Sequence, residues 1–287
     1  MFEQLGLVGC GLMGGSFALA LKRAGLVRHV IGFSTSQATR ERALDMGVID
    51  AIALSAAQAA QNSDLVLVAV PVAATQSTLA ALVGALSPQA LLMDVGSTKR
   101  DVVQAAALAL GEKLPTFVPA HPIAGKEVAG VAHADERLYT GCQVILTPTE
   151  QTGKAQLAQA QTLWAALGAQ VRTMSALEHD SAFAAVSHLP HMLAFAAMNA
   201  VNSQAQAAQF LSLAGPGFRD FTRIAASDPA VWRDILHANR DQLLLQSQHL
   251  REALQAFETT LAQGDSAALQ ALITAASQTR AAWSPKR

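Results

Sequence analysis

The sequence predicts an α/β fold over residues 1–174, a doubly wound, mainly parallel sheet with helices on both faces, followed by an all-helical domain over 175–287. Three observations carry this. Short apolar runs alternate with alanine-rich helical patterns through the first half. A glycine triplet, Gly9-Cys10-Gly11-Leu12-Met13-Gly14, sits between the first apolar run and the first helical pattern. From Ser175 onward strand signals stop and long helical stretches take over.

Residues 5–8 form the first predicted strand and 16–23 the first helix, which Gly25 ends. Strands follow at 30–33, 51–54, 65–70 and 91–95, with helices at 39–46, 75–86 and 100–110 between or after them. Further strands are predicted at 117–119 and 143–146, and a final helix 154–167 with strand 170–173 is expected to complete the same domain. Beyond it, helices are expected over 177–202, 204–213, 229–257 and 265–282, with Ser227-Asp228-Pro229 as the cap and first-position proline of the third, and a frayed tail at 284–287.

With 51% hydrophobic and 14% charged residues, the 287-residue chain can build a sizeable core and has surface to hide by self-association. A net charge of −1 without a basic stripe gives no reason to expect a nucleic-acid partner. No apolar run reaches membrane-spanning length, and the N-terminus enters a strand at once without a signal-peptide pattern. Cys10 and Cys142 have neither disulfide nor metal-ligand spacing, which fits a reducing, cytoplasmic setting.

Strand, glycine turn and helix in this order are the Rossmann-type dinucleotide signature. Gly9 allows the tight turn, Gly11 lets a pyrophosphate approach the backbone, and Gly14 lets helix and strand pack closely. Gly9, Gly11, Leu12, Met13 and Gly14 are therefore cofactor-site candidates. At the end of the second strand an acidic residue would select NAD. Here Phe33-Ser34-Thr35-Ser36 stands instead, with Arg40 and Arg42 near, so NADP, or use of both, is favoured over NAD alone. Ser34 and Thr35 join the cofactor set, as do Val70 and Pro71 at the carboxyl end of another strand.

Four segments carry candidate chemistry. Asp94 to Lys99 ends a buried strand on the cofactor rim; Ser97 either meets substrate or caps the next helix, as Thr98 could. His121, followed by Pro122, Gly125, Lys126 and Glu127, is placed as an acid–base group. Ser187-His188-Leu189-Pro190-His191 puts two histidines on one helix face and a kink at Pro190; without a third ligand of suitable spacing no metal is assigned. Arg223, flanked by apolar residues, is expected to be partly buried and to need an anion.

Together the Val-Gly-Ser-Thr-Lys (95–99), His-Pro-Ile-Ala-Gly-Lys-Glu (121–127), Ser-His-Leu-Pro-His (187–191) and Asp-Phe-Thr-Arg-Ile-Ala (220–225) segments resemble the prephenate dehydrogenase family, which includes arogenate and cyclohexadienyl dehydrogenases of tyrosine biosynthesis. The resemblance implies oxidative decarboxylation of a ring that carries a hydroxyl, a carboxylate and a three-carbon side chain, with hydride passing to NAD(P). It implies His121 as the catalytic acceptor of the ring hydroxyl proton, with Ser97 beside it. It further implies Arg223 as a carboxylate clamp, His191 and His188 as substrate or nucleotide contacts, and Glu127 as an ordering residue. Lys126, where many relatives carry a small or hydroxyl residue, would bind the side-chain carboxylate or pair with Glu127. A homodimer formed through the helical domain is implied, with Asp220 and Trp232 near the neighbouring subunit's pocket. The alternative reading is a β-hydroxyacid-type NAD(P)-dependent dehydrogenase on a similar scaffold. Such enzymes commonly use a lysine from the helical domain, and 175–283 contains none.

Overall fold

The computed structural model describes residues 1–126 and 128–283. Among them, six parallel strands form one sheet in the order β3-β2-β1-β4-β5-β6. These are β1 (Phe2–Val8), β2 (Val27–Phe33), β3 (Ala51–Ile52), β4 (Leu65–Val68), β5 (Leu91–Asp94) and β6 (Phe117–Val118). Their apolar runs are continuous because both faces are covered. Leu5, Leu7, Leu65 and Leu67 face one core, with Phe17, Leu21 and Trp164. Val8, Val66, Val68 and Leu92 face the other, with Leu79, Leu82 and Val102. Each such side chain, fully buried, contributes roughly 1.5–3 kcal/mol. The covering helices are α1 (Leu12–Arg23), α2 (Gln37–Asp45), α3 (Ala56–Ala60), α4 (Thr75–Leu82) and α5 (Arg100–Leu110).

Two expectations are corrected here. The later strands do not extend the main sheet. The chain breaks at Pro119, and β7 (Ala120–Pro122) pairs antiparallel with β8 (Gln143–Leu146), which pairs parallel with β9 (Gln170–Thr173) in a second, three-stranded sheet. Helix α6 (Lys154–Ala166) joins β8 to β9, and its Trp164 lies 5.0–5.1 Å from the rings of Phe17 and Tyr139, tying the small sheet to the large one. His121 is thus a strand residue opposite Ile145, not a loop residue after the strand.

The helical half begins with a capping box, in which the Ser175 hydroxyl accepts from Glu178 N–H and the Glu178 carboxylate accepts from Ser175 N–H. Helix α7 (Ala176–Phe183) runs through a wider π-type turn (Ala184–His188) into α8 (Leu189–Asn202). Pro190 cannot donate a backbone bond, and the widened turn lies immediately before it. Short helices α9 (Ala207–Ser212) and α10 (Pro216–Thr222) follow, then α11 (Pro229–Ala238), α12 (Arg240–Gln263) and α13 (Ser266–Ala282). Asp228 caps α11 through Ala230 and Val231 N–H, with Pro229 at its first position. The stretch expected as one helix over 229–257 is two, split at Asn239, whose side chain is drawn into the interior by bonds to Asp180 and His188. The predicted tail at 284–287 lies outside the described residues.

Residues 176–202 make one continuous helix of membrane-spanning length and apolarity, although polar residues interrupt its apolar sequence. His179, Asp180 and His188 on it are buried and bonded to other elements.

Candidate active site

The glycine turn joins β1 to α1 as its residue types require. Gly9 has φ +104°, and a Cβ there would stand 2.2 Å from the Ala69 carbonyl oxygen. A Cβ on Gly14 would stand 2.1 Å from the Gly9 carbonyl oxygen. At Gly11 nothing lies within 4 Å of the would-be Cβ, so this face of the turn is open. Gly11 caps α1 without a side-chain acceptor, and the first turn, with Leu12 and Met13, holds no acidic residue. An uncapped, unopposed helix N-terminus beneath an open glycine is what a pyrophosphate needs. The residues present therefore fit a dinucleotide. Val70 lies against Gly9 on the neighbouring strand end, with Pro71 leading into the next short turn. Cys10 fills the space under the turn, fully buried, with its thiol pushed up to about 12 by that burial.

At the end of β2, Ser34 is half-buried and Thr35 exposed. Arg40 folds back, donating through Nη1 to the Ser34 carbonyl oxygen and lying 5.8 Å above the Phe33 ring centre. Its buried Nε has no hydrogen-bond partner among the described residues.

The chemistry-bearing residues converge beside this turn. Lys99, fully buried, reaches back to Asp94 Oδ2 at 2.5 Å and to the Ala120 carbonyl oxygen at 2.8 Å. Asp94 Oδ2 also accepts from Gly96 N–H, and its Oδ1 from Ala120 N–H. This ion pair shapes the 95–99 loop and fixes the backbone that carries His121. Ser97 is half-buried and lines the cavity with His121. It does not cap α5, and neither does Thr98. The cap is Asp180 from α7, accepting from Lys99 N–H at 2.8 Å and Arg100 N–H at 2.9 Å.

Asp180 begins a relay that the sequence did not reveal. Its Oδ1 lies 2.8 Å from His179 Nδ1, and His179 Nε2 lies 2.7 Å from His121 Nδ1. A carboxylate only accepts, so His179 Nδ1 carries the proton and its Nε2 accepts from His121 Nδ1–H. That assignment leaves His121 Nε2 with a lone pair. Burial, and then the nearby charges of His179, Lys99 and His188, hold His121 well below its ordinary value. Burial also lowers His179 against the opposing pull of Asp180.

His188 is buried, accepts from Asn239 Nδ2 at 3.1 Å through Nδ1, and is lowered to about 4 by burial. His191 donates through Nδ1 to the Ser187 carbonyl oxygen at 2.9 Å and stacks on Trp232, with ring centres 3.4 Å apart and planes 19° apart; burial lowers it too. Ser97, His121, Lys126, His188, His191 and Trp232 all line one cavity of about 480 Å³ between the sheet rim and the helices.

One expected residue, Arg223, does not line this cavity. Arg223 is exposed rather than partly buried: the short 3-10 turn Arg223–Ala226 sends Ile224 inward to the cavity and Arg223 outward. Lys126 lines the cavity rim and pairs with Asp135 Oδ2 at 3.1 Å. Glu127, named above as an ordering residue, lies outside the described residues. His179, Asp180 and Trp232 are what residue-level reading left out of the site. Their traceable signal was a histidine–aspartate pair in an otherwise apolar helix, in helical register with His188 and His191.

The fold and this site define a two-domain, dinucleotide-dependent dehydrogenase with two hydrogen-bonded imidazoles at the sheet rim. Comparison with known proteins gives the family. The nucleotide-binding domain of prephenate dehydrogenase matches residues 17–173, and the dimerization domain of prephenate dehydrogenase matches 175–275. A prephenate dehydrogenase of Bacillus subtilis is 37% identical over 85% of this chain and 66% of its own length. A cyclohexadienyl dehydrogenase of Zymomonas mobilis is 32% identical over 92% of this chain and 90% of its own. The prephenate dehydrogenase of Aquifex aeolicus, solved with hydroxyphenyl propionate and NAD+, superposes with a TM-score of 0.90 at 34% identity, covering 98% of this chain and 97% of that one. The chain belongs to the prephenate dehydrogenase family.

Proposed function

We propose that the protein oxidatively decarboxylates prephenate, arogenate or both, with hydride transfer to NAD(P)+, in tyrosine biosynthesis. The observation that carries this is the Asp180–His179–His121 relay, which leaves His121 Nε2 as a proton acceptor facing the cavity. Nicotinamide, held through its dinucleotide at Gly9, Gly11, Leu12, Met13 and Gly14, supplies the hydride acceptor. His121 takes the ring hydroxyl proton, and Ser97 orients that hydroxyl. His188 and His191 hold the ring and its carboxylates together with Lys126, and Trp232 fixes the His191 plane. Arg223 points outward from the turn whose Ile224 lines the cavity, so its role as a carboxylate clamp requires the side chain to swing over the cavity mouth when substrate binds. The β-hydroxyacid alternative is not favoured by the family relationship.

For the cofactor, Arg40 with an unpartnered Nε beside Ser34 and Thr35 supports NADP, or use of both nucleotides. The chain is divided at 174/175 and works as a homodimer through its helical half. Helix 176–202 is apolar yet little covered, and Val186 and Leu213 are 72% and 77% exposed. A cytoplasmic location suits two unpaired thiols. The test is direct: protein, NAD+ or NADP+, and prephenate or arogenate are mixed and reduced-nicotinamide absorbance followed. The reading requires turnover with at least one pair and its loss in His121→Asn; no turnover with any pair would overturn it.

A further inference from the structure

The cavity holds a charge asymmetry. Among its described lining residues, Lys126 alone bears a permanent charge. The three lining histidines are all held below their ordinary values by burial and are neutral at pH 7. Lys126 is 37% exposed at the side chain and sits on the rim, five residues along from His121. Two of its three N–H donors are held among the described residues, one by the His133 carbonyl oxygen at 3.2 Å and one by Asp135 Oδ2 at 3.1 Å. Asp135 is itself fixed, its N–H donating to Ser16 Oγ and its Oδ1 accepting from Arg137 N–H. These bonds aim the ammonium without burying it.

From this we infer that Lys126, aimed by Asp135, makes the site select the keto diacid over its amino counterpart. The inference rests on the proposed function and names the substrate of that same site. The two candidates differ by one group on the side chain. Prephenate presents two carboxylates and a neutral keto group; arogenate presents the same carboxylates and an ammonium. When His121 faces the ring hydroxyl, both carboxylates lie at the opposite end of the ring. Lys126 on the cavity rim attracts the dianion more strongly than the zwitterion and opposes the added ammonium, with Asp135 beside it offsetting part of both effects. Exposure limits this to a modest, charge-assisted contact that salt weakens.

The experiment is a kinetic comparison of wild type, Lys126→Gln and Lys126→Arg with both substrates at low ionic strength. Wild type is expected to favour prephenate in kcat/KM. Lys126→Gln should raise KM for prephenate about three- to fivefold at low salt with kcat little changed, shift arogenate by less than about twofold, and so lower the ratio. Lys126→Arg should restore it. Because Lys126 is exposed, an unchanged Tm is expected and separates charge loss from misfolding. A wild type that prefers arogenate, or a ratio unmoved in Lys126→Gln, overturns the inference and leaves the proposed function standing. A wild type inactive on both substrates overturns the proposed function, and this inference falls with it.

Discussion

His121 Nδ1 stands 2.7 Å from His179 Nε2, so an imidazole on the small sheet is oriented by one on the first helix of the other half. The two lie 58 positions apart in the chain. The contact is made only when helix α7 docks on the N-terminus of α5. Acid–base competence and docking of the two halves are therefore one structural event.

The proposed function needs His121 as a neutral acceptor. Its folded value lies well below the usual 6.5, so it stays neutral, and active, as pH falls past that point. The acid limb of kcat/KM is expected well below pH 6.5. His121→Asn should lower kcat by about 10²–10⁴-fold and abolish that limb. A pH–rate profile of both proteins checks this; an acid limb at or above pH 6.5 would contradict it.

Asp180→Asn keeps the size of the side chain but turns one accepting oxygen into an NH2 donor, so it loses one of the two cap bonds from Lys99 and Arg100 N–H and no longer demands a proton on His179 Nδ1. The wrong tautomer then becomes available to both rings, and kcat should drop with little change in KM. Asp180→Ala should also cost about 1 kcal/mol through the lost cap. Steady-state kinetics report the tautomer and denaturant unfolding the cap, with stability falling in both variants because each loses at least one of the two cap bonds.

Lys99→Met is expected to be strongly destabilising, by about 3–5 kcal/mol, because it leaves Asp94 buried without its counter-charge. Urea unfolding measures this. A double variant, Lys99→Met with Asp94→Leu, should recover part of the loss, whereas recovery would fail if Lys99 acted only through its methylenes.

Acidification should weaken the fold. His121, His179 and His188 have folded values below those of the unfolded chain. Below about pH 6.5 the unfolded state therefore binds more protons. Stability is fully present above pH 6.5 and is lost as pH falls toward the His188 value of about 4. Thermal unfolding at a series of pH values should show Tm falling across this window; a Tm that rises on acidification would exclude the neutral cluster.

Gly9→Ala and Gly11→Ala should fail differently. At Gly9 the methyl group meets the Ala69 carbonyl and a backbone of φ +104°, so Tm falls. At Gly11 the methyl group meets open space, so the fold persists and only dinucleotide affinity falls. Calorimetry and nucleotide titration distinguish them.

Much of this molecule was legible in its residues. The glycine turn, the cap at Asp228 and the change of texture at Ser175 are local signals, and local signals survive into structure. What was lost is pairwise and distant. Periodicity marks residues 143–146 and 170–173 as strands but does not say with which partner or in which direction they pair, and it left 120–122 out of any strand. Apolar neighbours suggested that Arg223 is buried, yet in a single tight turn adjacent side chains diverge, and Ile224 took the inward position. The relay was invisible because its meaning depends on the docking of two halves. Asn239 split a helix for the same reason: its partners, Asp180 and His188, come from elsewhere in the chain.

The widened turn at Ala184–His188 has a further consequence. A π-type turn accommodates one residue more than its α counterpart, so it behaves as a one-residue insertion tolerated inside a helix. Upstream of it the helix presents His179 and Asp180 to α5 and His121; downstream it presents His191 to the cavity. Deleting one residue there would restore even winding and rotate one set by about 100° against the other. Each set would keep its own sequence yet lose its shared focus. The phase of this helix, as much as the identity of its histidines, is a heritable part of the site.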